Sequence, residues 1–166
     1  RHQMGIGVAT YVEITGFGGS EYGEVRLRPD GTFLAITGST PIGTGHVTTW
    51  AMLVADRLGV PMDQIEVFHG DTDVVPSGDT TGGSRSVQLA GSAMADASEK
   101  LVEVARQAAA DQLEAAVADI VLEEGTFHVA GTPAVGRSWV DLAGSSDQVL
   151  TGVSDFSQTG ATFPFG

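Results

Sequence analysis

The chain predicts an α+β fold, a two-layer mixed sheet with helices on one face, built as a single domain over residues 1–166. Three observations lead there. Short alternating apolar segments come in turn-linked pairs, two longer stretches carry apolar residues at helical spacing, and each helical stretch is entered from a glycine-rich loop. Hairpins between strands favour this class over an all-parallel doubly wound sheet.

In order along the chain, Gly5 to Thr15 alternates around Val8, Tyr11, Val12 and Ile14 and predicts a strand. Gly16 to Gly23 reads as a loop. Glu24 to Arg28 alternates again and turns through Pro29-Asp30-Gly31 into Thr32 to Thr37, a β-hairpin. Val47, Trp50, Ala51, Val54 and Leu58 recur at helical spacing, and Gly59 with Pro61 stops that helix. Ile65 to His69 predicts a short strand. A long helix is expected from about Val87 to about Ala115, its packing face formed by Leu89, Ala93, Ala97, Leu101, Val104, Ala108 and Leu113, with Ala90, Gly91, Ser92 and Ala93 small enough for close approach to a sheet. Ile120 to Leu122 and Phe127 to Val129 flank Glu123-Glu124-Gly125 as a second hairpin. Trp139, Val140 and Leu142 extend it toward a short helix.

Composition narrows the partners. A hydrophobic content of 42% in 166 residues supports a real core. The formal net charge of −13 repels nucleic acid and anionic membrane, and no basic cluster offsets it. There is no cysteine, so neither disulfides nor an iron–sulfur cluster are expected within the chain. No apolar run is long enough to span a bilayer, and Arg1 to Tyr11 lacks the pattern of a signal peptide.

The candidate site lies in the two glycine-rich loops, Gly43-Thr44-Gly45-His46 and Thr80-Thr81-Gly82-Gly83-Ser84-Arg85-Ser86. A helix start leaves backbone N–H groups unpaired and carries partial positive charge, so each loop is a place to hold an anion. Two such starts separated by a strand can converge on one extended phosphate-bearing ligand. The alternative is that glycines only turn the chain and hydroxyls only cap the helices. Arg85 is a planar cation suited to phosphate, or equally to pairing with Asp71, Asp73 or Asp79.

Familiar fingerprints fail. A Walker loop needs lysine where Thr44 stands, the dinucleotide glycine spacing breaks at Thr48, and a calcium loop starting at Asp71 would place Pro76 at the required glycine and Gly82 at the required glutamate. His46, His69 and His128 lack zinc-site spacing, so no metal held by protein side chains is expected.

The ordered series does resemble a known family. Gly43-Thr44-Gly45-His46 before a helix, Leu58-Gly59-Val60-Pro61, Gln64-Ile65, Gly70-Asp71-Thr72-Asp73, Pro76 and Thr81-Gly82-Gly83-Ser84-Arg85-Ser86 are similar to the molybdopterin-binding region of molybdenum hydroxylase large subunits, closest to the aerobic carbon monoxide dehydrogenase branch. Gly5-Ile6-Gly7-Val8-Ala9, Tyr11-Val12-Glu13, Glu124-Gly125, Gly131-Thr132-Pro133 and Thr162-Phe163-Pro164-Phe165-Gly166 fit as well.

The resemblance implies a molybdenum cofactor-binding domain of the xanthine dehydrogenase and aldehyde oxidase family. It would hold molybdopterin, in the cytosine dinucleotide form, within a cytoplasmic enzyme that hydroxylates a small-molecule substrate with oxygen from water and passes electrons to iron–sulfur and FAD partners. By position, Gly43, Thr44, Gly45 and His46 would line the pterin or its phosphate, and Thr81, Gly83, Ser84, Arg85 and Ser86 would contact the remainder. Thr44 stands where the family usually has glutamine. Family large subunits are several times longer, so the chain is expected to be a fragment truncated at both ends. The family's late glycine-rich motif with its glutamate base has no match here, so no catalytic residue is assigned and the isolated chain is expected to be inactive and cofactor-free.

Two readings from other classes stay open on the residues alone. One is a non-catalytic interaction domain, which would show an exposed apolar patch instead of a shared cleft. The other is a transferase using Ser84 or Ser86 with His46 and Asp71, which needs those groups within hydrogen-bond reach.

Overall fold

The computed structural model describes residues 2–16, 18–145 and 149–160. Its main sheet has four strands: β1 (Ser20–Leu27), β2 (Phe33–Thr37), β3 (Ile65–Phe68) and β7 (Thr151–Ser157), in the order β3-β2-β1-β7. β1 is antiparallel to β2 and β7, and β2 is parallel to β3, so the sheet is mixed. Helices α1 (His46–Leu58) and α2 (Ser92–Leu113) pack on it. A smaller antiparallel sheet, β4 (Ile120–Glu123), β5 (Thr126–Val129) and β6 (Gly136–Ser138), leads into α3 (Trp139–Ser145). The α+β class holds, with strands divided between two sheets.

The β1–β2 turn forms where the sequence places it. Gly31 takes φ 83° and the Asp30 carboxylate accepts the Thr32 N–H at 3.0 Å. The β4–β5 hairpin closes through Glu124 and Gly125 at φ 45° and 73°, two consecutive left-handed residues that match the twist of the strands they join. The short helix begins at Trp139, as expected. Its indole donates to the Leu58 carbonyl at 3.0 Å and meets Phe33 and Phe127 edge-on at 5.1 and 4.8 Å between centroids, tying α1 and both sheets together.

The helix over the sheet sits unusually close. A Cβ at Gly152 would lie 2.0 Å from the Ala97 carbonyl oxygen, so only glycine there lets the α2 backbone approach β7. Ala93, Ala97, Leu101, Ala105 and Ala109 form the buried line of α2.

Four expectations need correction. Residues 5–15 form no strand beyond an isolated bridge at Thr15, and Met4, Ile6, Val8, Tyr11 and Val12 are exposed because no strand edge among the described residues lies beside them. The strand after that segment starts at Ser20 rather than Glu24, so the loop ends at Gly19. The long helix opens with a π-helical turn over Ser86–Gly91 before α2 proper, and Val104 is exposed rather than packed. β7 is an additional strand, while the Thr162 to Gly166 motif lies outside the described residues.

Candidate functional site

The two glycine-rich loops meet. Thr44, His46, Thr81, Gly82, Gly83, Ser84, Arg85, Ser86 and Val87 line one cavity of about 350 Å³. The parallel β2–β3 pair makes this possible, since α1 is the crossover between those two strands and each loop follows a strand of the same sheet. Neither helix start is closed by a side-chain cap: Gly45 precedes α1 at φ 76°, and Arg85 precedes the π-helical turn. The capping alternative therefore fails at both loops, and first-turn N–H groups remain without side-chain partners beside a shared hollow.

The first loop is open. Gly43 and Gly45 take φ 88° and 76°, and a Cβ on either would meet nothing within 4 Å. Thr44 is exposed, its hydroxyl 2.9 Å from His46 Nδ1, and the His46 ring lies 5.3 Å from that of buried Trp50.

The second loop is held from behind. Ser86 donates to the Thr81 hydroxyl at 3.1 Å, Thr81 donates to the Thr40 carbonyl at 2.7 Å, and Ser39 donates to Ser86 at 3.4 Å. The Gly16 N–H donates to the Gly83 carbonyl at 3.2 Å. Gly83 and Ser84 take φ 55° and 54°, so Ser84 sits in a region that costs a side-chain-bearing residue energy and persists only when its surroundings enforce it.

Arg85 is buried. Its guanidinium lies 2.8 Å from Glu21 and 3.0 Å from Asp79, and it donates to the Gly18 carbonyl at 3.3 Å. Of the partners read from sequence, Asp79 is engaged, whereas Asp71 receives the Asp73 N–H instead. With both carboxylates against it, Arg85 is not a free cation facing the cavity. Glu21 is 1% exposed. Burial pushes its carboxyl up from the ordinary value, against the opposing pull of Arg85. The pair is held by charge rather than by an aligned bond from Arg85, and the Asp79 backbone also draws the Glu21 carboxyl down.

The structure thus gathers Thr44, His46, Thr81, Gly83, Ser84, Arg85 and Ser86 around the cavity, whereas Gly43 and Gly45 flank Thr44 in the first loop and do not line it. Sequence reasoning missed Glu21, Ser39 and Thr40. A carboxylate in phase with Gly23, Val25 and Leu27 on the helix-facing side of a strand was the available signal, hidden while residues 16–23 read as loop. The transferase arrangement is not formed: Ser86 bonds Thr81, His46 Nδ1 faces Thr44, and Asp71 bonds its own turn. An apolar groove of about 720 Å³ also runs beside α1, lined by Met52, Leu53, Val60, Pro61 and Met62 among others. Among the described residues no group of three or more His, Asp or Glu could hold a metal, and no helix is long and apolar enough to cross a membrane.

Comparison with known proteins decides the family. The family model described as molybdopterin cofactor-binding domain matches residues 1–166. The chain belongs to that family. It is 34% identical to the carbon monoxide dehydrogenase large chain of Afipia carboxidovorans over 185 aligned residues, covering 100% of this chain and 23% of that one. The corresponding large chain of Hydrogenophaga pseudoflava is 34% identical over 182 residues, covering 98% and 23%. A crystal structure of the Cu,Mo-CO dehydrogenase in its carbon monoxide reduced state superposes with a TM-score of 0.84 at 31% identity, covering 92% of this chain and 22% of that one. The molybdopterin-binding domain therefore spans about a quarter of the length of these relatives, which are molybdenum oxidoreductases.

Proposed function

We propose that this domain is the cofactor-binding part of a molybdenum hydroxylase large subunit and that the cavity between the two loops holds part of a molybdopterin, in the cytosine dinucleotide form. The observation that carries this is the convergence of two uncapped helix starts on one hollow. The fit is chemical as well as spatial. First-turn N–H groups and the helix dipoles favour a phosphate, the exposed Thr44 and Ser84 hydroxyls supply further donors, and Gly43 and Gly45 leave open space where side chains would stand. Arg85 serves by holding the second loop in shape. A cavity of about 350 Å³ is at the small end for a ligand site, so this chain forms one wall of the envelope and the rest of the subunit the other.

When bound, the cofactor's molybdenum supplies two-electron oxidation of a small-molecule substrate with oxygen drawn from water. This chain's residues bind and orient it. On this reading the catalytic base and the iron–sulfur and FAD partners that take the electrons lie elsewhere in a cytoplasmic assembly, and the chain alone does not turn over; its span of about 23% of the carbon monoxide dehydrogenase large chains it matches supports this.

Gly82 gives the test. It lines the cavity, and a Cβ there meets nothing within 4 Å, so Gly82→Leu adds bulk at the hollow from an unobstructed Cβ. In the full-length subunit with its partners, the variant is expected to lose most of its molybdenum and pterin nucleotide while melting like the parent. Full cofactor content in Gly82→Leu would show that the ligand sits elsewhere.

A further inference from the structure

The second loop's shape depends on a residue that lies outside it. Glu21 stands on β1, on the helix-facing side, and its carboxylate is completely enclosed. Arg85 reaches from the loop to this carboxylate at 2.8 Å, to the Gly18 carbonyl at 3.3 Å, and to Asp79 at 3.0 Å on the loop's own entry strand of chain. Around the pair the backbone is packed too tightly for any side chain: a Cβ at Gly78 would lie 2.0 Å from the Gly38 carbonyl oxygen, and one at Gly38 would lie 3.1 Å from Glu21 Oε2. Immediately before Arg85, Ser84 is held at φ 54° on the cavity side. A strained residue persists only where its surroundings enforce it, and the buried ion pair is the part of those surroundings directly attached to the residue that follows Ser84.

We propose that Glu21 is a positioning residue for the cofactor loop: through Arg85 it fixes the left-handed turn at Gly83-Ser84, and so aims the loop's N–H groups and the Ser84 hydroxyl into the cavity. This rests on the cofactor reading of the cavity. Burial disfavours the charged form of Glu21, so the carboxylate is poorly suited to a purely stabilising role at this place. Asp79, with a side chain 61% exposed, can follow Arg85 wherever it goes, whereas enclosed Glu21 sets where it is.

The test uses the full-length subunit with its partners, scoring molybdenum and pterin nucleotide per subunit against the melting temperature of the same preparation. Glu21→Gln keeps shape and removes charge. It is expected to lower cofactor content by about tenfold, the effect typical of removing an outer partner that orients a ligating group, while the melting temperature stays near that of the parent. Asp79→Asn is expected to keep its cofactor. Should Glu21→Gln fail to fold, the charge-free pair Glu21→Gln/Arg85→Met restores stability by removing both ends of the ion pair, and it is expected to stay cofactor-poor. Parent-like cofactor content in folded Glu21→Gln, or recovery of content together with stability in the double variant, overturns the proposal. Loss in Gly82→Leu alongside retention in Glu21→Gln removes only the role of Glu21; retention in both removes the cavity reading itself.

Discussion

The two glycine-rich loops look alike in sequence and are built oppositely. The first, Gly43 to His46, is largely exposed, has open space around both glycines, and is touched by side chains only through Thr44 on His46, the His46 ring on Trp50 and the Thr49 hydroxyl on the Gly45 carbonyl among the described residues. The second is braced by an ion pair with a buried carboxylate, a relay of three hydroxyls through Ser39, Ser86 and Thr81, and a backbone bond from Gly16. On the proposed cofactor reading, the braced loop would have its binding shape before any ligand arrives, while the open one would take its final shape from what it meets. Preorganisation on one side and adaptability on the other divide the ordering cost of binding unequally.

The largest expected effect separates the loops by sterics. Gly78→Ala drives a Cβ to 2.0 Å from the Gly38 carbonyl oxygen, backbone against backbone, behind the braced loop. It should destabilise the chain by about 3 kcal/mol, at the upper end for overpacking. Gly43→Ala meets nothing within 4 Å and carries only the strain of φ 88°, about 1–2 kcal/mol. Urea unfolding of the two variants and the parent measures both. Equal losses would mean that the second loop is no better braced than the first.

A smaller effect separates them by pH. The folded-state pKa of Glu21 is raised above its ordinary 4.5, so its contribution to stability is greatest below that pH and falls as pH rises through the folded value. Glu21→Gln should therefore gain on the parent as pH rises past 4.5. Asp96 on α2 behaves in the opposite sense. Lys100 first, then the Ser154 hydroxyl at 2.5 Å, hold its carboxyl below the ordinary 3.8, so its contribution is present above that pH and is lost as pH falls through the lower folded value. The parent's advantage over Asp96→Asn should vanish in acid. Parallel pH profiles for the two variants would refute the difference in burial on which the brace rests.

How far the sequence reveals this contrast follows from residue size. The hairpin turns, α1 and the meeting of the loops were legible because glycine, proline and apolar spacing mark them directly. β7 was not, since its inward positions are Gly152 and Ser154, small residues chosen by the closeness of α2 and invisible to an apolar pattern. Val104 was misplaced because the buried line of α2 advances by four residues, from Ala93 through Ala97, Leu101 and Ala105 to Ala109, so a step of three beyond Leu101 leaves the packed face. The segment 5–15 shows the reverse case. Its alternation is genuine, with Met4, Ile6, Val8 and Val12 spaced by even numbers, but alternation supplies only one half of a pairing. At the site, the residues touching the cavity were readable from the loops, whereas Glu21 and Ser39, which brace the second loop from β1 and just beyond β2, come from sequence far away.

The smallest change in stability is expected at Thr44, and there the comparison becomes sharpest. Thr44→Ala removes one hydroxyl, 2.9 Å from His46 Nδ1, from an exposed loop whose glycines already set its path. Away from caps, cores and buried networks such a substitution stays within about 0.5 kcal/mol. If the open loop is shaped by its ligand, the lost hydroxyl is felt only in the bound state. The full-length variant should then melt like the parent while holding its cofactor less tightly, by the roughly 0.5–1.5 kcal/mol of one hydrogen bond. Cofactor release measured by gel filtration at successive dilutions resolves a change of that size. Release indistinguishable from the parent would confine the first loop's part to its backbone N–H groups and glycines, and the Thr44 hydroxyl would leave the site.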